Sequence, residues 1–199
     1  MARLFFGGIH PDDRKALSRE KAITPFPAPK QVTIPLSQHI GAPCVPCVAV
    51  GDRVLRGQAV GQVRGFVSAP VHASVSGTVV EIAPHLTIGG AMVPCVVIEN
   101  DFKDEWDSSL IPPEDEWAPD CRPPEGSVDS LSPQDILARI GEAGVVGMGG
   151  AAFPARVKLS PPGDKKIDFL LLNGAECEPY LSADHRLMLE EGARILEGA

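Results

Sequence analysis

The spacing of hydrophobic positions divides the chain into a part with short strands and a part with helices. Between residues 31 and 100, short apolar runs alternate with turn-forming residues, which is typical of β-strands. The predicted strands are Val45–Val50, Gln58–Val63, Phe66–Ser68, Val75–Ile82 and Pro94–Glu99. The predicted turns are Gly51-Asp52, Arg56-Gly57, Ser76-Gly77 and Gly89-Gly90. Short strands at this spacing favour a small all-β barrel or sandwich.

Residues 131–199 have the pattern of an α/β unit. Ser132, Pro133 and Asp135 have the positions of a helix cap, a first-turn proline and a third-position acid, so a helix is predicted to start there. Its predicted apolar stripe is Ile136, Leu137 and Ile140, and its predicted end is Gly141 or Gly144. The later predictions are a short helix over about 154–159, a buried strand over Ile167–Leu172, and a final helix capped by Ser182 with Leu187, Met188 and Ile195 as buried positions.

Composition characterises the remaining segments. Residues 1–30 are rich in proline and lysine and are predicted to be an arm laid over a domain. Residues 101–130 combine carboxylates with prolines and are predicted to be an acidic linker, which Trp106 and Trp117 fix onto a neighbouring surface or present to a partner subunit. Because one strand cannot form a doubly wound sheet, residues 131–199 are expected to be the first part of a larger, truncated domain.

The main candidate for ligand chemistry is the glycine loop, residues 147–154, with Lys158 about one helical turn further on. Its sequence is Gly147-Met148-Gly149-Gly150-Ala151-Ala152-Phe153-Pro154. Glycines let the main chain turn sharply and come close to a ligand. The free N–H groups of a helix that starts at Pro154 can face an anion, and Lys158 adds a positive charge. With Phe153 available to stack on a flat ring, the loop predicts a cradle for a phosphorylated, aromatic cofactor.

Two other interpretations of the glycine loop are open to the sequence. Gly147-x-Gly149-x-x-Ala152 also matches the loose dinucleotide-binding fingerprint. Only Val145 and Val146 precede it, and Pro161-Pro162 cut the following helix short, so an ordinary Rossmann site is disfavoured. A plain loop without a ligand is the remaining alternative.

The second candidate for ligand chemistry is residues 173–179, called here the acidic turn, which directly follows the predicted strand Ile167–Leu172. Ligands of open α/β sheets bind outside the carboxyl ends of strands. Asn173 can donate and accept hydrogen bonds, and Glu176 and Glu178 can accept them from ring N–H groups or ribose hydroxyls. The alternative is a solvated acidic turn without a ligand.

Charge and hydropathy exclude several functions. A net charge of −8 over 199 residues disfavours nucleic-acid binding, and no apolar run of about eighteen residues predicts a membrane span. Five cysteines without an export signal indicate reduced thiols in a cytosolic setting. Cys44-Val45-Pro46-Cys47 could be a dithiol or half of a metal site, for which His39, His72 and Cys95 are candidate further ligands.

The β part of the chain resembles the biotinyl/lipoyl carrier domain. The resemblance rests on Val50–Gln58, Ala69-Pro70 and Gly77-Thr78-Val79. Carriers link their cofactor to a lysine at a hairpin tip, and no lysine occurs between Lys30 and Lys103. The corresponding tip lies near Arg64-Gly65-Phe66, and arginine cannot form the amide. We therefore expect the fold without the carrier function.

Longer stretches resemble RnfC, a component of the Rnf electron-transport complex. They are Gly7–Pro11, Ile34–Pro43, Ser68–Val79, the glycine loop with Lys158, Asn173–Pro179, Asp184 and Arg186. The stretches from the glycine loop onward are also similar, more distantly, to the flavin- and NADH-binding subunit of respiratory complex I. Together they cover nearly the whole chain except the region around residues 105–130.

The resemblance implies a multi-domain α+β protein: a biotinyl/lipoyl-like barrel-sandwich hybrid at 31–100, then the start of an FMN/NADH-binding α/β domain at 131–199. It implies FMN binding by Gly147, Gly149, Lys158, Asn173 and Glu176, and NADH binding by Gly150, Phe153, Lys158 and Glu178. Two 4Fe–4S clusters are expected only from sequence beyond residue 199, so the isolated chain is expected to be inactive.

The function implied is that of a peripheral subunit, on the cytoplasmic side of the inner membrane, of an ion-translocating NADH:ferredoxin oxidoreductase. Its expected partners are the other subunits of the complex and NADH. Met148, Ala152 and Ala175 stand where the complex I pattern has an arginine, a glycine and an acidic residue, which fits RnfC better. The alternatives are a docking scaffold with an empty cradle and the NADH-oxidising subunit of a complex I-like dehydrogenase.

Overall fold

The computed structural model describes residues 11–108 and 131–199. The chain divides into a larger unit, Pro27–Lys166, and a smaller unit formed by Met1–Phe26 with Ile167–Ala199. The strands are β1 Gln31–Pro35, β2 Val45–Pro46, β3 Arg53–Val54, β4 Ala59–Gln62, β5 Val71–His72, β6 Gly77–Leu86 and β7 Met92–Asn100. The α-helices are α1 Pro133–Glu142, α2 Ala155–Lys158, α3 Ala183–Glu190 and α4 Gly192–Gly198.

Two antiparallel sheets form the β part of the larger unit. One has the order β1-β7-β6-β3 and the other the order β2-β4-β5. The hairpin β6–β7 is the longest element, with pairing from Gly77↔Asn100 at its base to Leu86↔Met92 at its tip. Strand β7 lies between β1 and β6, and Cys95, Val96, Val97 and Ile98 are all buried rather than alternating, so both faces of this strand are covered.

The core is a cluster of aliphatic side chains contributed by both sheets. Its fully buried members include Leu36, Val54, Val60, Val79, Val96 and Ile98. Burial of each such side chain stabilises the fold by about 1.5–3 kcal/mol. The predicted all-β fold of this part is confirmed, and the four predicted segments around β2, β4, β6 and β7 contain those strands in whole or in part.

Several strands of the β part are very short, and this explains where the predicted and observed strands differ. The segment predicted over Phe66–Ser68 is not a strand, and the one predicted over Val45–Val50 is reduced to two residues. Strands β1, β3 and β5 were not predicted. Two of these three contain only two residues, so each is defined by its partner strand rather than by a periodic pattern of its own.

The beginning of the predicted linker is attached to the β part. The guanidinium of Arg56 lies 4.1 Å from the ring centroid of Trp106, and the main-chain N–H of Arg56 donates to Glu105 O at 2.8 Å. Arg53 forms ion pairs with Asp101 and Glu105. The prediction that Trp106 fixes the segment to a neighbouring surface is confirmed, whereas Trp117 lies outside the described residues.

Helix α1 begins where the sequence predicts. Ser132 Oγ accepts the N–H of Asp135 at 3.2 Å, and Asp135 Oδ2 accepts the N–H of Ser132 at 3.0 Å, which completes a capping box. Hydrogen bonding from Ser132 lowers the pKa of Asp135. Gly144, with φ of 67°, follows the C-cap Ala143 in the left-handed region that favours glycine.

The smaller unit corrects several predictions. Ile167–Leu172 is neither a strand nor buried, and Leu171 is 88% exposed. A strand needs a partner for its main-chain hydrogen bonds, and the described residues of this unit contain no other strand. Helix α3 does follow Ser182, but Leu187 and Met188 are exposed, and only Ile195, on α4, is partly buried.

The helices are short compared with the thickness of a bilayer. Among residues 11–108 and 131–199, no helix has the length and apolar character required to cross a membrane.

Candidate flavin and nicotinamide nucleotide site

The glycine loop is a narrow hairpin between α1 and α2. Gly147 N–H donates to Phe153 O at 2.8 Å, and Ala155 N–H donates to Val145 O at 2.9 Å. These bonds flank an antiparallel bridge between Val146 and Pro154. Residues 145–147 and 153–155 therefore form the paired base of the hairpin, and residues 148–152 form its tip.

Glycine at positions 149 and 150 is not required by the described part of the structure. Among residues 11–108 and 131–199, no heavy atom would lie within 4 Å of a Cβ at either position, and neither residue has a left-handed φ. Gly144, by contrast, has both a left-handed φ and close neighbours. Among the described residues, neither packing nor main-chain conformation calls for glycine at 149 and 150, and the main chain at both positions is openly accessible.

The tip of the hairpin offers hydrogen-bond donors. Within the described ranges of the chain, no acceptor is found for the main-chain N–H groups of residues 148–151. Lys158 is exposed, and in the same ranges its ammonium has no carboxylate partner. Successive free N–H groups form a positively polarised surface that suits a phosphate, and Lys158 lies on the helix that follows the hairpin.

One residue of the tip is strained. Ala152 has φ of 45°, a conformation that costs a non-glycine residue roughly 1–2 kcal/mol. Its N–H donates to Gly149 O at 3.1 Å, which closes the tip as a tight turn. Glycine adopts this conformation without strain, so the alanine is held there by the surrounding contacts.

The β part fixes this hairpin at two points. Ile40 N–H donates to Ala151 O at 3.1 Å. At the end of α1, a Cβ on Gly144 would lie 2.5 Å from Pro70 O and 2.8 Å from His72 Cε1, so the chain packs closely against β5 there. The loop conformation is therefore set by its contacts with the strands as well as by its own turn.

His72 is the titratable group at this packing point. Burial lowers its pKa below the ordinary value of 6.5, although the carbonyl of Glu142 and the charge of Asp107 act in the opposite direction. The neutral ring is thus the form that packs against the end of α1.

The larger unit is expected to lose stability as the pH falls below about 6.5, and part of this loss should depend on His72. Because the folded pKa is lowered, the unfolded chain binds more protons in this window, and the free energy of unfolding decreases as the pH falls. Chemical denaturation of the wild type and His72→Gln from pH 7.5 to 5.0 measures the slope. An identical slope in both proteins would contradict the assignment.

The acidic turn uses part of its hydrogen-bonding capacity internally. Asn173 Oδ1 accepts the N–H of Ala175 at 3.0 Å, and Glu176 Oε1 accepts the N–H of His185 at 3.1 Å in the first turn of α3. Glu178 is exposed. The Asn173 amide nitrogen has no acceptor in the described part of the chain, so its donors and the Glu178 carboxylate are available to a ligand.

The predicted site residues fall into two groups. Gly147, Gly149, Gly150, Phe153 and Lys158 lie together on the hairpin and α2, in the larger unit; Asn173, Glu176 and Glu178 lie together on one turn of the smaller unit. The use of both groups by one ligand stays a prediction. The sequence did not reveal the contacts of Ile40 and His72, and their only signal was their presence in the RnfC-like stretches at 34–43 and 68–79.

The surroundings of Cys44 and Cys47 favour neutral thiols over metal or redox chemistry. Cys44 is buried, with Sγ donating to Ala69 O at 3.0 Å, and Cys47 is exposed at the other end of β2. Burial raises the pKa of both thiols, which disfavours the thiolate needed for metal binding or disulfide exchange. Among the described residues, no cluster of three potential metal ligands occurs.

Comparison with known proteins agrees with the two-part architecture. A family model described as the RnfC Barrel sandwich hybrid domain matches residues 3–103, and one described as the Nuo51 FMN-binding domain matches residues 140–199. The fold and these matches define a barrel-sandwich hybrid followed by the start of an FMN-binding domain. Because the first model covers half of the sequence, the chain belongs to the RnfC family.

Curated relatives extend the similarity along the whole chain. The C subunit of the proton-translocating ferredoxin:NAD(+) oxidoreductase complex of Clostridium ljungdahlii is 47% identical over 198 residues, which is 100% of this chain and 41% of the relative. The Na(+)-translocating counterpart of Acetobacterium woodii is 45% identical, covering 98% of this chain and 41% of the relative. The C subunit of the ion-translocating oxidoreductase complex of Rhodobacter capsulatus is 41% identical, covering 96% and 35%. The chain thus spans about two fifths of the length of these relatives or less.

Proposed function

We propose that this chain supplies FMN- and NADH-binding residues to a peripheral subunit of a membrane-bound complex that passes electrons between NADH and ferredoxin and translocates ions. The observation that carries the proposal is the hairpin tip. Gly149 and Gly150 leave open space above the main chain, and the N–H groups of residues 148–151 have no acceptor within the described residues. The names of the relatives support the coupling to ferredoxin and ion transport.

The residues of the hairpin fit a phosphorylated flavin. The main-chain N–H groups and the Lys158 ammonium match the FMN phosphate in charge and in hydrogen-bond type. Phe153, in the same hairpin, is partly exposed and provides a flat apolar face. FMN, when bound, supplies hydride acceptance from NADH and one-electron transfer onward. On the acidic turn, Asn173 and Glu176 are assigned to FMN and Glu178 to NADH, as the family resemblance implies.

The wider assignments follow from the same proposal. The subunit is placed peripherally on the cytoplasmic side of the inner membrane, with the other subunits of the complex as partners. Its 4Fe–4S clusters are assigned to sequence beyond residue 199, so the isolated chain is proposed to be inactive as an oxidoreductase. An RnfC-type subunit is preferred to a complex I-type one because residues 3–103 match the RnfC module.

Lys158→Ala is expected to weaken FMN binding by about tenfold to a hundredfold. A charge-assisted contact with phosphate contributes about 1.5–3 kcal/mol, which corresponds to this range. Flavin fluorescence titration of the complete gene product measures the dissociation constant. Lys103→Ala, which removes an exposed lysine elsewhere in the larger unit, is the matched control. Equal affinity of Lys158→Ala and the wild type would remove Lys158 from the site.

A docking scaffold with an empty cradle is the second candidate. Leu86, Ile88 and Met92 are exposed at the tip of the β6–β7 hairpin, and such apolar side chains are typical of contacts with another subunit. Flavin absorbance of the purified complete gene product discriminates the two functions. A protein that takes up no FMN but still assembles into the complex is a scaffold.

A further inference from the structure

The N-terminal arm is hydrogen-bonded to the segment that follows the acidic turn. Tyr180 N–H donates to Asp13 O at 2.6 Å. Lys15 Nζ donates to two main-chain carbonyls, Leu181 O at 2.6 Å and Glu178 O at 3.2 Å. Lys15 and Glu178 are 163 residues apart in sequence, yet the part of the arm up to Phe26 belongs to the smaller unit together with the turn.

Further contacts extend this attachment toward α3. Ser18 Oγ donates to Tyr180 O at 3.1 Å, and the Oγ of Ser182, which is 7% exposed, donates to Ser18 Oγ at 2.7 Å. Ile23 N–H donates to Glu190 Oε1 at 3.1 Å. The hydroxyl of Ser182 is therefore used to bind the arm rather than to cap α3.

The main chain between Glu178 and Ser182 has an unfavourable conformation. Tyr180 has φ of 69°, in the left-handed region that a non-glycine residue adopts at a cost. Such a conformation persists only where surrounding contacts enforce it. The N–H and the carbonyl of Tyr180 are both held by the arm, by Asp13 and Ser18 respectively.

We propose that the arm is a positioning element of the NADH site and that Lys15 is its positioning residue. The ammonium of Lys15 joins the carbonyls of Glu178 and Leu181 across the strained Tyr180, and thereby fixes the main chain from which the Glu178 carboxylate extends. This inference rests on the proposed function, because Glu178 is the residue assigned to NADH. It links the arm, which lies in the barrel-sandwich family match, to a turn in the FMN-binding match.

The test compares Lys15→Met, Lys15→Arg and Lys21→Met in the complete gene product. Lys21 is an exposed lysine on the same arm, and in the described residues its ammonium makes no hydrogen bond, so its variant is the matched control. Lys15→Met should weaken NADH binding about tenfold, leave FMN affinity unchanged, and accelerate amide hydrogen exchange across residues 178–182. Lys15→Arg should restore most of both effects, because arginine can also donate to the two carbonyls.

Each other outcome is decisive. Faster exchange with unchanged NADH affinity would show that the arm supports the turn without positioning the ligand, and unchanged exchange would show that Lys15 does not hold the turn; either overturns the inference alone. An equal loss of NADH affinity in Lys21→Met would assign the effect to charge and not to position. A wild type that binds FMN but no NADH overturns the NADH part of the proposed function and this inference with it.

Discussion

Gly149→Val and Gly150→Val are each expected to reduce FMN affinity by on the order of a hundredfold or more while leaving the thermal unfolding temperature unchanged. Within the described ranges, a Cβ at either position would have no heavy atom within 4 Å, and neither residue has a left-handed φ, so the surrounding described structure accommodates the side chain. The branched side chain instead fills the space through which a phosphate approaches the free N–H groups. Flavin titration and calorimetry on the same samples measure the two quantities.

A matched control is available in the same unit. Gly163 also has open space at its Cβ position and no left-handed φ, but it lies beyond α2 and outside the hairpin. Gly163→Val should therefore bind FMN as the wild type does. Alanine at 149 or 150 should give a smaller loss than valine. If valine at both hairpin positions left FMN affinity unchanged, the hairpin tip would not be a phosphate site.

Local sequence signals predicted the elements whose stability is local. The start of α1 follows from three residues, Ser132, Pro133 and Asp135, and the structure places all three as expected. The glycine loop was recognised because its residues are contiguous. The long hairpin β6–β7 was located because its two segments each carry enough apolar residues to form a strand.

Contacts between distant residues could not be predicted in this way. The run Ile167–Leu172 has the composition of a buried strand, but burial requires a partner that the described residues of its unit do not provide. The bond from Ile40 to Ala151 and the bonds from Lys15 to residues 178 and 181 join segments far apart in the sequence. No periodic pattern marks such pairs, since each residue is unremarkable in its own segment.

In the candidate site, too, the sequence predicts residues but not their contacts. The sequence predicts which residues meet a flavin phosphate, and the structure shows which of their hydrogen-bonding groups have no partner among the described residues. The Gly147 N–H is used inside the hairpin, and Glu176 is partly used at α3. Glu178 and the N–H groups of residues 148–151 are the better candidates for direct ligand contact, because they have no such internal use in the described part of the chain.

Gly77→Ala is expected to destabilise the larger unit by about 3 kcal/mol or more. Gly77 is the first residue of β6 and is paired with Asn100 of β7, and a Cβ there would overlap the main-chain carbonyl of Glu99. Neighbouring Ser76 is fully buried and donates to Asp101 Oδ1 at 2.6 Å, so the base of the hairpin cannot move aside easily. For a chain of this size the unfolding temperature should fall by about 6–12 °C.

Gly89→Ala, near the tip of the same hairpin, is the control, because no described residue beyond its chain neighbours lies within 4 Å of its Cβ position and its φ is not left-handed. Calorimetry should show the loss only in Gly77→Ala, and equal unfolding temperatures would contradict the packing argument. Flavin affinity should fall together with stability in Gly77→Ala, since Ile40 and His72 of the β part hold the glycine loop. Retention of full FMN affinity after loss of the β part would show instead that the loop keeps its conformation without those contacts.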